Sequence, residues 1–290
     1  MKKPVFEGVA TALVTPFQNG TIDLPTLRKL IERQISCGID ALVICGTTGE
    51  AATLTDAEQL TLLSCAVEAA DGRCRIIAGT GSNSTAHALE LSRMASAAGA
   101  DALLLVTPYY NKCTQNGLIE HYTTIADAVK VPIIVYSVPS RTGMEISVAT
   151  CKTLSAHPNI NGIKEAGPSI SKAARILDAC GDDLCVWSGN DDAAVPLMSI
   201  GGRGLISVLS NVRPAQTVDM IRSAMRGDYA RAGRLQRSLM PLIDALFCEV
   251  NPIPVKEAMR LSGIDVGDPR APLTRLGEEG RTRLEALLAG

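Results

Sequence analysis

The chain alternates short runs of Val, Ile and Leu with longer segments in which apolar residues recur every three or four positions. The short runs are typical of parallel strands covered on both faces, and the longer segments are typical of amphipathic helices. Eight runs are predicted to be strands, at residues 9–15, 41–45, 75–79, 102–107, 132–138, 160–165, 185–189 and 204–209. This alternation predicts an α/β fold, a closed (β/α)8 barrel, and leaves an open doubly wound sheet as the alternative.

Helix start signals lie between the predicted strands. Asp23 precedes a Leu-Pro pair, and Thr55 with Glu58 forms a capping-box pattern. After about Arg222 the strand signal stops, and helices are predicted at residues 224–246, 254–262 and 274–288. We therefore expect a barrel domain over residues 1–224 and a C-terminal helical extension, residues 225–290, packed on it.

Composition narrows the classes of function. A length of 290 residues suits one barrel domain, and a net charge of −2 with 3% aromatic residues argues against a nucleic-acid partner. The chain shows no leader-like apolar segment and no apolar run of membrane-spanning length, so we expect a cytoplasmic protein without a membrane partner. Nine cysteines without a CxxC pair and three widely spaced histidines predict buried, reduced thiols and no metal site.

Lys164 is the first candidate for chemistry. It interrupts an otherwise apolar strand at residues 160–166, where burial of an ammonium group is unfavourable. Burial shifts a lysine pKa from about 10.4 toward about 7–8, and the resulting neutral amine can attack a ketone. A structural ion pair with a nearby carboxylate explains the same residue equally well.

Other polar residues follow predicted strands, at the end of a barrel where catalytic groups collect. Tyr136 can relay protons, although tyrosine is also an ordinary strand residue. Arg141 offers a planar fork for a carboxylate, or a loop salt bridge. Thr47 and Thr48 lie in a glycine-bounded turn, residues 46–50, whose hydroxyl and N–H groups can hold a small anion.

Five motifs carry a resemblance that runs along nearly the whole chain: Gly-Thr-Thr-Gly-Glu at 46–50, Thr-Pro-Tyr-Tyr-Asn at 107–111, Tyr-Ser-Val-Pro-Ser-Arg-Thr-Gly at 136–143, Gly-Ile-Lys-Glu-Ala at 162–166 and Asn-Pro-Ile-Pro-Val-Lys at 251–256. In these motifs the sequence resembles the dihydrodipicolinate synthase family, the 4-hydroxy-tetrahydrodipicolinate synthases among the class I pyruvate-dependent aldolases. The resemblance implies a (β/α)8 barrel that condenses pyruvate with aspartate 4-semialdehyde in lysine and diaminopimelate biosynthesis.

The same resemblance implies roles for individual residues. Lys164 takes the Schiff-base position. The proton-relay positions are Tyr136, Thr47 and Tyr110, the last supplied by a neighbouring subunit. Substrate-binding positions are Thr48, Arg141, Gly189 and Ile206. The resemblance further implies no metal or organic cofactor and a homotetramer built as a dimer of dimers.

One departure concerns the lysine feedback site of regulated family members. His87 stands where those enzymes carry a glutamate, and Asp56 replaces a histidine, although Asn83 and Tyr109 remain. Loss of the glutamate removes the charge partner of the effector ammonium, so weak or absent inhibition by lysine is expected. Ser137, where many members carry asparagine, is expected to be tolerated.

Two other functions compete with this prediction. A sister aldolase, such as an N-acetylneuraminate lyase or a keto-sugar-acid aldolase, shares the barrel and Lys164. Arg141 and the threonine pair favour a short acid instead of a polyhydroxylated substrate. A barrel that binds ligand without turnover is the second alternative, since fold alone does not fix function.

Overall fold

The protein is described by a computed structural model over residues 2–289. Eight parallel strands close into a barrel in which each strand is hydrogen-bonded to the next along the chain, and the last pairs with the first. The strands are β1 (Gly8–Ala12), β4 (Ala41–Ile44), β5 (Arg75–Gly79), β6 (Ala102–Val106), β7 (Ile133–Ser137), β8 (Ile160–Glu165), β9 (Cys185–Ser188) and β10 (Gly204–Ser207), with a small hairpin of β2 (Phe17–Gln18) and β3 (Thr21–Ile22) after the first. The predicted barrel is confirmed, and the open sheet is excluded.

Helices cover the outside of the barrel, and three more follow its last helix. Their bounds are α1 (Leu24–Ser36), α2 (Asp56–Ala70), α3 (Thr85–Ala97), α4 (Gln115–Ala128), α5 (Pro139–Thr142), α6 (Val148–Ser155), α7 (Ile170–Cys180), α8 (Ala194–Ser199), α9 (Pro214–Met225), α10 (Tyr229–Leu246), α11 (Ile253–Leu261) and α12 (Glu278–Leu288). Both predicted start signals are confirmed, because Asp23 caps α1 and Thr55 forms a reciprocal capping box with Glu58 at α2. In the described part of the chain, no helix combines the length and apolar character needed to cross a bilayer.

Three predicted boundaries were wrong by more than two residues. The first strand ends at Ala12 instead of residue 15, because the Val14 N–H donates to the Asn211 side chain and leaves the strand ladder. The predicted helix 224–246 covers the end of α9 and the whole of α10. The two helices are separated at Gly227, which adopts φ +80°. The last helix begins at Glu278 instead of residue 274, after Gly277 donates its N–H to Glu249.

Two apolar cores stabilise this architecture. One lies between the strands and the surrounding helices, and the other fills the inside of the barrel. In the inner core Phe6 stacks on Trp187 with ring centroids 5.1 Å apart. Because strand residues alternate between the two cores, Lys164 points inward while its neighbour Ile163 packs outward.

The C-terminal helices pack on the rim of the barrel where the strands end. Every residue from 251 to 259 is buried, and Lys256 of α11 forms an ion pair with Glu50, 2.5 Å between Nζ and Oε1, in the loop after β4. Nζ of the same lysine lies 4.3 Å from the centroid of the Phe17 ring. The extension therefore lies directly beside the loops that carry the candidate site; the domain boundary at residue 224 stays a prediction.

Candidate active site

Lys164 lies on β8 with only 6% of its surface exposed. Within residues 2–289 it forms no salt bridge; its Nζ lies instead 4.2 Å from the centroid of the Tyr136 ring. The two residues pair across β7 and β8. The sequence allowed either a catalytic amine or a structural ion pair. No carboxylate in the described chain forms a salt bridge with Lys164, so the structure favours the catalytic amine.

Burial lowers the pKa of Lys164 to about 8. The nearby Asp191 carboxylate opposes this shift, and the Arg141 guanidinium adds to it. An amine with this pKa keeps a useful neutral fraction at neutral pH, as nucleophilic attack on a carbonyl requires. The sequence predicted a lowered pKa through burial, and the structure adds the two neighbouring charges that modify it.

Tyr136 is the last residue but one of β7, and its ring lies beside the Lys164 amine. Burial raises its pKa to about 12, while Arg141 and a hydrogen bond with Thr47 act in the opposite direction. The phenol therefore stays protonated and connected to Thr47, which suits it for passing protons to and from a group held near Lys164. The structure thus brings Lys164, Tyr136, Thr47 and Arg141 into one site.

Gly189 follows β9 and lies against the stem of Lys164. A Cβ at this position would lie 2.6 Å from the Ala166 Cβ and 3.0 Å from the Lys164 Cε. The absence of a side chain therefore makes room for the extended lysine. Ile206, on β10, is fully buried in the inner core with Tyr136.

Thr48 and Arg141 are joined through a residue of the C-terminal extension. The Asn251 Nδ2 donates to the Thr48 Oγ1 over 3.0 Å, and Arg141 Nη2 donates to the Asn251 carbonyl over 3.1 Å. Asn251 belongs to the motif at residues 251–256, but the sequence alone indicated no role for it. Its partner Thr48 is 203 residues away in sequence, so only the folded chain reveals this contact.

Asp191 is a second residue that sequence analysis missed. Its buried carboxylate accepts hydrogen bonds from the Ser207 hydroxyl, 2.6 Å, and from the N–H groups of Val208 and Leu209, 3.0 and 3.1 Å. Burial raises its pKa. Its position in the sequence could have revealed it, because a charged residue follows the apolar strand β9 by three positions. The Asp191 carboxylate lies near enough to Lys164 to favour the charged form of the amine.

Tyr110 is not brought into this site. It has φ +71° and is 92% exposed, on the loop after β6. Tyr109 is 38% exposed, and its carbonyl accepts a hydrogen bond from the Asn83 Nδ2 over 3.2 Å.

The predicted effector residues form two pairs. Besides the contact between Asn83 and Tyr109, His87 Nε2 lies 3.0 Å from the Asp56 Oδ1, and its Nδ1 lies 3.2 Å from the Ser82 hydroxyl. The Asp56 carboxylate is thus already engaged by His87.

Most of the thiols predicted to be buried are buried in the structure. Six of the nine cysteines are buried, and Cys37, Cys113 and Cys248 are not.

Comparison with known proteins agrees with this geometry. The sequence profile of the dihydrodipicolinate synthetase family matches residues 5–290. A 4-hydroxy-tetrahydrodipicolinate synthase of Caldicellulosiruptor saccharolyticus is 49% identical over 98% of this chain and 97% of its own. The chloride-inhibited dihydrodipicolinate synthase from Acinetobacter baumannii, complexed with pyruvate, superimposes with a TM-score of 0.96 at 43% identity and covers 98% of both chains.

A third relative, the Cyanidioschyzon merolae enzyme crystallised with lysine bound, has a TM-score of 0.96 at 38% identity, over 99% of this chain and 98% of its own. The similarity extends over the barrel and over the C-terminal helices in all three cases. The chain belongs to the dihydrodipicolinate synthetase family.

Proposed function

We propose that this protein is a 4-hydroxy-tetrahydrodipicolinate synthase, which condenses pyruvate with aspartate 4-semialdehyde through a Schiff base on Lys164. The observation that carries the proposal is a buried lysine with no salt bridge in the described chain, 4.2 Å from the ring of a protonated tyrosine. Relatives of that name match at nearly full length, and one relative's structure holds pyruvate.

In the first step the neutral Lys164 amine adds to the ketone carbon of pyruvate. The carbonyl oxygen leaves as water, and a C=N bond joins lysine and substrate. Tyr136, connected to Thr47, supplies the proton that the leaving oxygen needs. The N–H groups of Thr47 and Thr48 hold the pyruvate carboxylate.

The protonated imine then draws electrons from the methyl carbon, which loses a proton to the Tyr136 phenolate and becomes the nucleophilic end of an enamine. This carbon attacks the aldehyde carbon, a new C–C bond forms, and the aldehyde oxygen takes the proton back from Tyr136. Arg141, exposed at the mouth, binds the carboxylate of the semialdehyde. Attack of the substrate amino group on the imine carbon closes the ring and releases the Lys164 amine.

A partner subunit completes the relay in this proposal. Tyr110 is 92% exposed on one chain, and we propose that it enters the site of the neighbouring subunit in a tight dimer, two of which form a tetramer. Light scattering on the purified protein tests the assembly. A mass of one 30.5 kDa chain would contradict it.

Borohydride reduction in the presence of pyruvate tests the chemistry. We expect a stable adduct on Lys164 by peptide mass spectrometry, and none in a Lys164→Arg variant. A reductase-coupled assay should show pyruvate-dependent consumption of aspartate 4-semialdehyde. Turnover of N-acetylmannosamine in its place would instead identify the sister lyase.

A further inference from the structure

We propose that Asn251 is a positioning residue that aims the Thr48 hydroxyl hydrogen at the pyruvate carboxylate and holds Arg141 beside it. The proposal rests on the proposed function. It assigns to the C-terminal extension a part in substrate binding. Asn251 acts through Thr48 and Arg141 and is not itself a catalytic residue.

The direction of one hydrogen bond is the first observation. The Asn251 Nδ2 donates to the Thr48 Oγ1 over 3.0 Å, and both side chains are buried, with 5% and 2% exposed. A threonine hydroxyl has one hydrogen to donate. Because its oxygen is the acceptor here, and no other bond of this hydroxyl is found in the described chain, the hydrogen remains available to a ligand.

A carboxylate is a good acceptor for that hydrogen, since hydrogen bonds to an ionised oxygen are stronger than those between neutral groups. The turn at residues 46–50 already offers the Thr47 and Thr48 N–H groups to an anion. The hydroxyl adds a third donor if its orientation is fixed. Asn251 supplies that orientation, because a donor on the oxygen prevents the hydroxyl from rotating toward it.

The second contact joins the other substrate group to the same residue. Arg141 Nη2 donates to the main-chain carbonyl of Asn251 over 3.1 Å. Arg141 is on α5, Thr48 follows β4, and Asn251 precedes α11, so one residue connects three segments that are distant in sequence. The two groups that receive the two substrates are thereby held in a fixed relation.

The unpaired half of the amide is the third observation. The Asn251 Oδ1 is buried and has no hydrogen-bond partner in the described chain. A buried acceptor without a partner is unfavourable, and an apolar side chain of similar size would avoid that cost. Fold stability therefore does not explain why an asparagine stands at position 251. The hydrogen bond that its Nδ2 donates to the Thr48 hydroxyl does explain it.

The neighbouring residues keep this contact rigid. Glu50 closes the same turn as Thr48 and forms an ion pair with Lys256, both side chains 1% exposed. The Arg270 N–H also donates to the Glu50 Oε2 over 2.8 Å. The extension thus binds the turn at two further points, and Asn251 has little freedom to move away.

Steady-state kinetics with both substrates test the proposal. In Asn251→Ala we expect the KM for pyruvate to rise about tenfold, the loss of one oriented hydrogen bond to a charged group, with kcat changed less than about threefold. Asn251→Asp keeps the volume but turns the Thr48 hydrogen toward the new carboxylate, so its KM should rise at least as much. If Asn251 served only packing, the KM for pyruvate would rise more in Asn251→Ala, which leaves a cavity, than in Asn251→Asp, which keeps the volume.

Asn161→Ala is the matched control. Asn161 is also buried, 7% exposed, and donates from Nδ2 to the Lys3 carbonyl over 2.8 Å, at the end of β8 away from Lys164. Asn161→Ala should leave the KM values for pyruvate and for aspartate 4-semialdehyde within about twofold of those of the parent protein. If Asn251→Ala does not fold, the isosteric Asn251→Asp carries the test alone.

A double-mutant cycle shows whether Asn251 acts through Thr48. Adding Thr48→Val to Asn251→Ala should raise the KM for pyruvate no further than Thr48→Val does alone. Two outcomes would overturn this inference and leave the proposed function standing. In one, the fold increases in KM of the two single variants multiply in the double variant; in the other, both Asn251 variants keep a KM for pyruvate within twofold of the parent. A parent protein that forms no borohydride adduct on Lys164 would overturn the proposed function, and this inference with it.

Discussion

The Nζ of Lys164 lies 4.2 Å from the ring centroid of Tyr136, and the two residues face each other across adjacent barrel strands. The position removes the amine from water and from any salt bridge in the described chain. An aromatic face stabilises an ammonium less than a carboxylate does. Lys164 is therefore held in an environment that favours its neutral, nucleophilic form.

The rate of adduct formation should depend on pH through the amine. With a pKa of about 8, roughly a tenth of the lysine is neutral at pH 7 and most of it at pH 9. We expect the initial rate of borohydride trapping, at pyruvate far below saturation, to rise steeply over this range and to level off above it. A rate that continues to rise tenfold per unit through pH 10 would show an ordinary lysine.

Lys164→Met should stabilise the fold while abolishing the adduct. Because the folded pKa is depressed to about 8 from 10.5, the unfolded chain binds the proton more tightly, and below pH 8 the folded state carries the full cost of the buried charge. That cost is about 3 kcal/mol. Denaturant unfolding at pH 7 should show a gain of this order.

The gain from Lys164→Met should shrink as the pH rises from 8 toward 10.5, where the lysine becomes neutral in both states. Unfolding at several pH values within this window provides the check. A gain independent of pH would mean that packing, and not charge, is its cause.

Gly189→Ala should impair catalysis more than stability. The added methyl would lie 2.6 Å from the Ala166 Cβ and 3.0 Å from the Lys164 Cε, so the lysine must move. We expect a loss of about 1–3 kcal/mol in unfolding free energy and at least about tenfold in kcat/KM. Gly233→Ala, inside α10 with only an arginine terminus 3.4 Å away, is the control. It should leave activity unchanged and raise stability slightly.

Lys256→Met should destabilise the protein strongly. The lysine and Glu50 are each 1% exposed, so removing one leaves a buried carboxylate without its charge partner. The expected loss is about 3–5 kcal/mol in the free energy of unfolding. Adding Glu50→Gln should restore part of it, since no unpaired charge then remains. A double variant less stable than Lys256→Met alone would contradict this explanation.

Lysine should inhibit this protein weakly or not at all. His87 stands where regulated relatives are expected to carry a glutamate, and it engages the Asp56 carboxylate at 3.0 Å. An effector ammonium therefore finds no free charge partner there. Turnover should be unchanged by millimolar lysine, and His87→Glu should create inhibition. Strong inhibition of the unsubstituted protein would show that another residue takes the glutamate's place.

The sequence by itself determined eight strands alternating with helices, because apolar runs separated by amphipathic segments have few other solutions. The choice of a closed barrel over an open sheet was confirmed only by the strand pairing. It also predicted that Lys164 is buried and lies at the same end of the sheet as Tyr136, since both residues are near the ends of strands that follow one another along the chain. The exact ends of the strands depended on tertiary contacts. The first strand stops at Ala12 because a side chain from residue 211 takes the Val14 N–H, and local pattern carries no information on such a contact.

Only the tertiary structure decided how the site is held together. Thr48 and Asn251 are 203 residues apart, and Glu50 meets Lys256 across a similar separation. Hydrophobic periodicity reports which face of a strand or helix is buried, but it does not report which distant polar group will satisfy another. Those pairings follow from the closure of the barrel and the packing of the extension on its rim, which bring the ends of the strands and the start of α11 to one place.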